Sequence, residues 1–169
     1  MKKIILLITI LISVLLVSSC GGKSDSDLWD EAEQLKVEEK YVESLAAYKN
    51  LIDEFPESKY YVDALFEVGK MYHGKVDKNI PGIESLKKAA EYYKMVHESE
   101  PNTDRGASAL FMLGFIQANE ISKFDEAKST YEKFIEMYPE HELVQSAKAE
   151  LETLGIPPEE ILTRKSEEE

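Results

Sequence analysis

Apolar residues recur with a helical period along most of the chain, and no stretch alternates as a β-strand would. Leu28, Ala32 and Leu35 fall on one face of a first helix. The same pattern predicts six further helices, over residues 41–55, 61–72, 83–99, 105–118, 123–137 and 142–154. Pro56, which disfavours helical geometry in the residue before it, ends the first of these six, 41–55. The pattern therefore predicts an all-α protein.

Three segments that end at a proline share one spacing, which indicates an internal repeat. Tyrosine lies eight residues before each of Pro56, Pro101 and Pro139, at Tyr48, Tyr93 and Tyr131. A small residue lies twelve before, at Ser44, Ala89 and Ala127, and a large apolar one fifteen before, at Tyr41, Leu86 and Phe124. Alanine follows eight residues after each proline, at Ala64, Ala109 and Ala147. Such self-similarity is typical of stacked helix-turn-helix repeats.

Local signals predict where some of these helices begin and end. Ser26 or Asp27 is placed to cap the first helix and Ser58 the third, and Gly155 is placed to end the last one. Between its glycine and its proline, the second copy (69–101) is seven residues longer than the third (114–139). We interpret the segment 73–82 as a loop insertion, with a recognition loop as the alternative.

The pattern resembles tetratricopeptide repeats, which place small residues where the two helices of a pair cross closely. Ala32, Gly69 and Gly114 occupy the small position of the first helix, and Ser44, Ala89 and Ala127 that of the second. The resemblance implies a right-handed superhelix of about three helix-turn-helix pairs plus a C-terminal capping helix, over residues 27–155. The proline spacings depart from the strict period of that family.

The resemblance also implies a concave groove built by the first helix of each pair. Carried over to this chain, the groove positions are Trp29, Glu33 and Lys36, then Phe66, Lys70 and His73, then Phe111, Phe115 and Ala118. Four of these residues would form an aromatic strip suited to an apolar peptide or a partner helix: Trp29, Phe66, Phe111 and Phe115. The alternative is that these aromatic residues simply pack between repeats.

The joints at residues 55–58 (FPES) and 138–141 (YPEH), together with long first helices, resemble a subgroup found in bacterial envelope proteins. Examples are the BamD-type lipoproteins of outer-membrane β-barrel assembly and the C-terminal domain of the CpoB (YbgF) proteins. The number of repeats is closer to the CpoB domain, but CpoB has a trimerising coiled coil where we expect only a lipid tether here. The resemblance is therefore to the broad class and not to either named member. The resemblance implies a protein or peptide partner in the envelope.

Residues 1–19 have the features of a secretory signal. Lys2 and Lys3 precede an apolar run that is too short to span a bilayer, which needs about 20 residues. The run leads through Val17 to Cys20 in a pattern that resembles the lipobox of bacterial lipoproteins, and this implies acylation of Cys20. Residues 20–26 would then form a flexible tether. The alternative is an ordinary signal peptide followed by an unrelated cysteine.

The composition excludes several classes of function. Without the signal, 18 basic and 33 acidic residues remain, a formal charge of about −15, which disfavours nucleic acid as a partner. The acidic pairs and the tail at 156–169 are interpreted as solvated surface. No catalytic motif, metal-ligand cluster or phosphate-binding glycine loop occurs, so we expect no enzymatic activity, no cofactor, no metal and no small-molecule substrate. His97 replaces the Ile52 and Ile135 of the other copies, which predicts a partly buried histidine.

Two hypotheses of different class follow. The first is a lipid-anchored scaffold that binds a protein or peptide in the bacterial envelope. In enterobacteria-like sorting, an aspartate directly after the acylated cysteine retains lipoproteins at the inner membrane. This chain has Gly21 at that position, which favours the outer membrane, facing the periplasm. The second is a structural spacer whose repeats pack on their own copies and form no binding groove.

Overall fold

The computed structural model describes residues 22–157 and 159–160, and within them it contains seven α-helices and no β-strand. The helices are α1 (Asp25–Val37), α2 (Tyr41–Glu54), α3 (Tyr61–His73), α4 (Gly82–Ser99), α5 (Asp104–Phe115), α6 (Phe124–Met137) and α7 (Val144–Thr153). Each helix packs on the next one along the chain. Three pairs, α1–α2, α3–α4 and α5–α6, therefore follow one another, and α7 covers the last. The predicted all-α helical repeat is confirmed.

The second helix of each pair contributes one buried tyrosine ring. Tyr48, Tyr93 and Tyr131 are at most 2% exposed. A Cβ atom placed on Gly69 would lie 3.3 Å from Cε1 of Tyr93, and one on Gly114 would lie 2.9 Å from Cε1 of Tyr131. These approaches are closer than ordinary side-chain packing allows. The small residue of the first helix therefore makes room for the tyrosine ring of the second.

Two buried serines join the helices of the first two pairs. The Ser44 hydroxyl donates to the backbone carbonyl of Ala32 at 2.8 Å, and the Ser85 hydroxyl donates to that of Tyr72 at 2.7 Å. Each bond satisfies a hydroxyl that would otherwise be buried without a partner, which is costly. A serine at these crossings therefore keeps the contact close and meets its own hydrogen-bonding requirement.

The first helix begins before its predicted cap, Ser26 or Asp27. Ser24 is the N-cap, and its side chain accepts from the backbone of Asp27, whose carboxylate accepts in turn from Ser24. The helix thus takes in the last two residues of the predicted tether at 20–26. Ser58 does not cap α3, which begins at Tyr61 without a side-chain cap. Its hydroxyl instead donates to Asp25 Oδ2 at 2.7 Å, because Asp25 lies beside it at the start of α1.

The seven extra residues of the second copy form a loop and lengthen a helix. The loop occupies residues 74–81, and α4 has 18 residues where α2 and α6 have 14 each. The added turn contains Ser85, and Leu86, which follows it, is 4% exposed. The matching Tyr41 and Phe124 are each 43% exposed. This large apolar position is therefore buried in the second copy and exposed in the other two.

The predicted helix 105–118 changes geometry near its end. α5 stops at Phe115 and continues as a π-helical turn, Ile116–Glu120, in which Ile121 N–H donates to the Ile116 carbonyl. Gln117 in this turn accepts from the Thr130 hydroxyl of α6 at 2.7 Å, and Asn119 donates to Glu150 of α7 at 2.9 Å. Neighbouring helices thus hold the wider turn on both sides.

The predicted stop at Gly155 is confirmed. α7 ends at Thr153, and Gly155 has a φ of +74°. That left-handed conformation is common just after a helix and is readily adopted by glycine.

The tyrosine crossings generate a stability prediction. We expect Gly114→Leu, and separately Ala127→Leu, to lower the free energy of unfolding by about 1–3 kcal/mol, because each overpacks the crossing. Glu132→Gln is the control, since the Glu132 side chain is 58% exposed. Thermal melting followed by circular dichroism measures the three variants. Equal melting temperatures for all of them would contradict the crossing.

Candidate functional site

Three of the four predicted groove aromatics, Trp29, Phe66 and Phe111, each pack against the buried tyrosine of their own helix pair. The ring centroids of Trp29 and Tyr48 are 5.4 Å apart, those of Phe66 and Tyr93 5.7 Å, and those of Phe111 and Tyr131 5.7 Å. The interplanar angles lie between 57° and 68°, close to the edge-to-face geometry that aromatic pairs favour. Trp29, Phe66 and Phe111 are half-buried. They therefore combine packing within a pair with an accessible face.

The strip is not uniform from one end to the other. Trp29 also stacks on Tyr60, with centroids 5.2 Å apart and planes 9° from parallel, so a second ring covers it. Phe115 packs against His73 of α3, with ring centroids 6.3 Å apart. Ala118 lies in the π-helical turn and is 6% exposed, so its predicted place on the groove is wrong: the turn directs it into the core.

The predicted charged residues of the first two copies converge with a glutamate that sequence reasoning missed. Lys36 Nζ lies 2.6 Å from Glu33, 3.2 Å from Glu67 and 3.2 Å from the hydroxyl of Tyr48. Lys70 Nζ is 2.8 Å from Glu67, and the Tyr48 hydroxyl donates to Glu33. These five side chains form one network, which joins α1 to α3 at the end of the Tyr48 ring.

Burial and pairing act against each other in this network. Burial raises the pKa of the Glu33 carboxyl, but hydrogen bonds from Lys36 and Tyr48 outweigh it and leave that pKa below its usual value. Burial likewise lowers the pKa of Lys36, but the interactions with Glu33 and Glu67 raise it by more, so the net shift is upward. Both groups therefore stay charged at neutral pH. Because the two lysines already have carboxylate partners, they do not form a clamp for a peptide carboxylate.

We define the first-helix surface as the outward side chains of α1, α3 and α5: Trp29, Glu33, Lys36, Phe66, Glu67, Lys70, His73, Phe111 and Phe115. An open pocket of about 550 Å³ adjoins Phe66 and is lined also by Arg105 and Ser108 of α5. Arg105 reaches across to Asp63 of α3 at 2.6 Å. The pocket thus lies between two successive first helices, where a partner side chain could enter.

A family model for the tetratricopeptide repeat matches residues 108–141, which run from within α5 to the joint before α7. The matched stretch contains the Gly114–Tyr131 crossing and Pro139. The chain contains a tetratricopeptide repeat. With its seven helices, the described part has an all-α, tetratricopeptide-like repeat fold. Such repeats generally mediate protein–protein interaction. None of the curated proteins compared with this chain matches it.

Other predicted features are outside the site or outside the described residues. Cys20 and the signal at 1–19 lie outside the described residues, as does most of the tail at 156–169. Among the described residues, no helix is long and apolar enough to cross a membrane, and no group of three histidine, cysteine or carboxylate side chains could hold a metal ion.

His97 lies between the second and third pairs and is 3% exposed, so it is buried more completely than the partly buried histidine that was predicted. Its Nδ1 atom is 3.2 Å from the Gly106 carbonyl and 3.2 Å from the Tyr138 hydroxyl, which itself donates to the Pro101 carbonyl. Since a carbonyl only accepts, Nδ1 carries the proton. Burial lowers the pKa of His97, the nearby charge of Lys133 lowers it further, and the Gly106 bond and Glu98 only partly oppose this.

The lowered pKa of His97 gives a stability that depends on pH. The unfolded chain binds the extra proton more readily, so the contribution of His97 is complete above the ordinary histidine pKa of about 6.5 and is lost as pH falls through the lower folded value. We expect His97→Ile to reduce the slope of unfolding free energy against pH below about 6.5. Denaturant titrations between pH 5 and 8 measure it. An unchanged slope would contradict the assignment.

Proposed function

We propose that this chain is a lipid-anchored, non-enzymatic scaffold of the bacterial cell envelope that binds a protein or peptide through the first-helix surface. The observation that carries the proposal is the arrangement of that surface. Half-buried rings lie on α1, α3 and α5, and the charge network lies beside them between α1 and α3. Aromatic anchors beside oriented polar groups are what peptide-binding grooves use. The tetratricopeptide repeat at 108–141 supports the same function.

The anchoring part of the proposal is supported by the sequence. The motif that ends at Cys20 follows a basic and then apolar segment, and Cys20 is the single cysteine of the chain. A single acyl chain binds a membrane only marginally, whereas several chains on one residue give stable attachment. With Gly21 next to it, we place the scaffold on the outer membrane, facing the periplasm.

The non-enzymatic part is supported by how the titratable groups are distributed. His73 contacts the rings of Tyr93 and Phe115, while His97 is buried against Tyr138. His141 accepts a hydrogen bond from the backbone of Leu143. His97 and His141 both contact the Tyr138 ring, and His73 lies apart from them against Tyr93 and Phe115, so the three histidines do not converge on one reaction site.

A structural spacer that associates with its own copies is the second candidate, and one observation favours it. Three apolar residues at the turn from α1 to α2 are exposed: Val37 at 80%, Tyr41 at 43% and Val42 at 44%. Apolar side chains clustered on a surface often mark a contact with another protein. In this candidate the turn, and not the first-helix surface, would form the interface.

The two candidates differ in what a double substitution on the first-helix surface should do. We expect Phe66→Ala with Phe111→Ala to abolish capture of an envelope partner while the protein stays folded. Each ring is half-buried, so each loss should cost less than the roughly 3–5 kcal/mol of a fully buried phenylalanine. Pull-down from envelope extract and circular dichroism melting are run on the same variant.

The control for this experiment is Ile83→Ala, which removes an apolar side chain that is 50% exposed and lies away from the first-helix surface. It should leave capture unchanged. A folded double variant that still captures its partner would refute the groove. A double variant that captures normally, together with a Val37→Ser, Val42→Ser variant that falls from oligomer to monomer, would establish the spacer instead.

The anchoring proposal has its own test. We expect Cys20→Ser to prevent acylation and to release the protein from the membrane fraction. Fractionation after a high-salt wash, with mass spectrometry of the N-terminal peptide, measures both effects. A variant that still sediments with membranes would show that the lipobox interpretation is wrong.

A further inference from the structure

The network between α1 and α3 has a counterpart between α5 and α7, in which Phe115, Asn119 and Thr153 take the places of Glu33, Lys36 and Lys70. Glu67 lies eleven residues after Pro56, and Glu150 lies eleven residues after Pro139, so the two glutamates occupy equivalent repeat positions. Tyr48 and Tyr131 are equivalent in the same way. In the first junction, Lys36 Nζ is 3.2 Å from both the Glu67 carboxylate and the Tyr48 hydroxyl. An ammonium group there satisfies an acid and a phenol together.

In the junction between α5 and α7, an amide takes the place of that ammonium. Lys36 lies four residues after the small crossing residue Ala32, and Asn119 lies five after Gly114. The π-helical turn accounts for the offset, since it takes one residue more per turn than an α-helix. Asn119 Nδ2 donates to Glu150 at 2.9 Å. Glu150 therefore has a hydrogen-bond donor but no cation within ion-pair distance among the described residues.

The phenol of this junction has no partner at all among the described residues. The Tyr131 hydroxyl is buried and makes no hydrogen bond there. Burial raises the pKa of Tyr131, and the charge of Glu150 raises it further, as the charge of Glu67 does for Tyr48. A buried polar atom left unsatisfied is uncommon and calls for an explanation. At the equivalent place in the first junction, the Tyr48 hydroxyl donates to Glu33 and accepts from Lys36.

A cavity of about 430 Å³ opens beside Glu150 and Asn119. Its walls include the apolar side chains of Phe124, Leu154 and Ile156. Glu150 is the charged residue among its described lining, and no lysine or arginine belongs to that lining. Apolar walls with a carboxylate at one side suit a flexible alkyl chain that ends in a positive charge.

We propose that this cavity receives a primary ammonium on an alkyl stem, the chemistry of a lysine side chain, supplied by the protein or peptide that the scaffold binds. The inserted lysine would do for Glu150 what Lys36 does for Glu67. This inference rests on the proposed function and specifies one feature of the partner, a lysine side chain that enters the cavity. The lysine would bind without any covalent change.

The probe for the test is n-pentylammonium chloride, added to the full-length chain in a nonionic detergent. At five times its dissociation constant, binding should raise the melting temperature by about 2–6 °C. The ring resonances of Phe124, which lines the cavity, should shift, and those of Tyr48, which already contacts Lys36, should not. Sodium chloride and n-pentanol at equal concentration should produce neither effect. A rise as large with n-pentanol would overturn the ammonium assignment.

Matched substitutions locate the site. Glu150→Gln should abolish the response, whereas Glu67→Gln, the same change in the first junction, should keep it. Asn119→Lys supplies an internal ammonium at the position of Lys36, so it should raise the melting temperature and remove the response to the probe. A response that persists in Glu150→Gln would refute the site.

The chain's own tail supplies the competing occupant, because it carries Arg164 and Lys165. If the probe acts only on the Arg164→Gln, Lys165→Gln variant, the tail fills the cavity and the proposal of a partner's lysine is overturned. These experiments need no partner, so a negative result rejects the cavity while the Phe66 and Phe111 experiment still decides the groove. A positive result with groove variants that capture normally would reject the groove alone.

Discussion

The second and third helix pairs each depend on one contact, in which a tyrosine ring of the second helix lies on a glycine of the first, Gly69 or Gly114. At Gly114, even one added carbon would lie 2.9 Å from the ring of Tyr131. The contact sets how closely the helices approach. It also fixes where both ends of the ring lie. One side of each ring meets Trp29, Phe66 or Phe111, and the hydroxyl of Tyr48 reaches the charge network between the first helices. Core packing and the candidate binding surface therefore share the same side chain.

The fold could be predicted from the sequence because its main signals are local and repeated three times. Helical periodicity, the three prolines and the spacing of small residues are all visible in one chain, and the helices lie close to where these signals place them. Boundaries were less predictable. Polar residues that can cap a helix follow one another from Ser24 to Asp27, and only the bond between Ser24 and Asp27 selects among them.

The candidate site was predictable only in part. The rings lie on the first helices as the repeat resemblance implied, but their half-burial depends on the crossing geometry. Glu67 was missed because it lies on another helix, 31 residues after Lys36, and no spacing within one helix encodes their contact. The only local signal was Lys70, three residues after it, which pairs with it on the same helix. The π-helical turn was missed because a single extra residue in one copy leaves the apolar pattern almost unchanged, yet it determines that Asn119, and not Ala118, faces Glu150.

The bond between Ser58 and Asp25 has a mechanical consequence. Asp25 is the first residue of α1, and Ser58 precedes α3, so this bond links the beginning of the domain directly to the second repeat. A chain held at its N-terminal end would transmit tension into the domain at that residue. The load would then be shared by the first helix and by the joint before the third, instead of peeling α1 away alone. The first residue of α1 is thus fastened to two repeats.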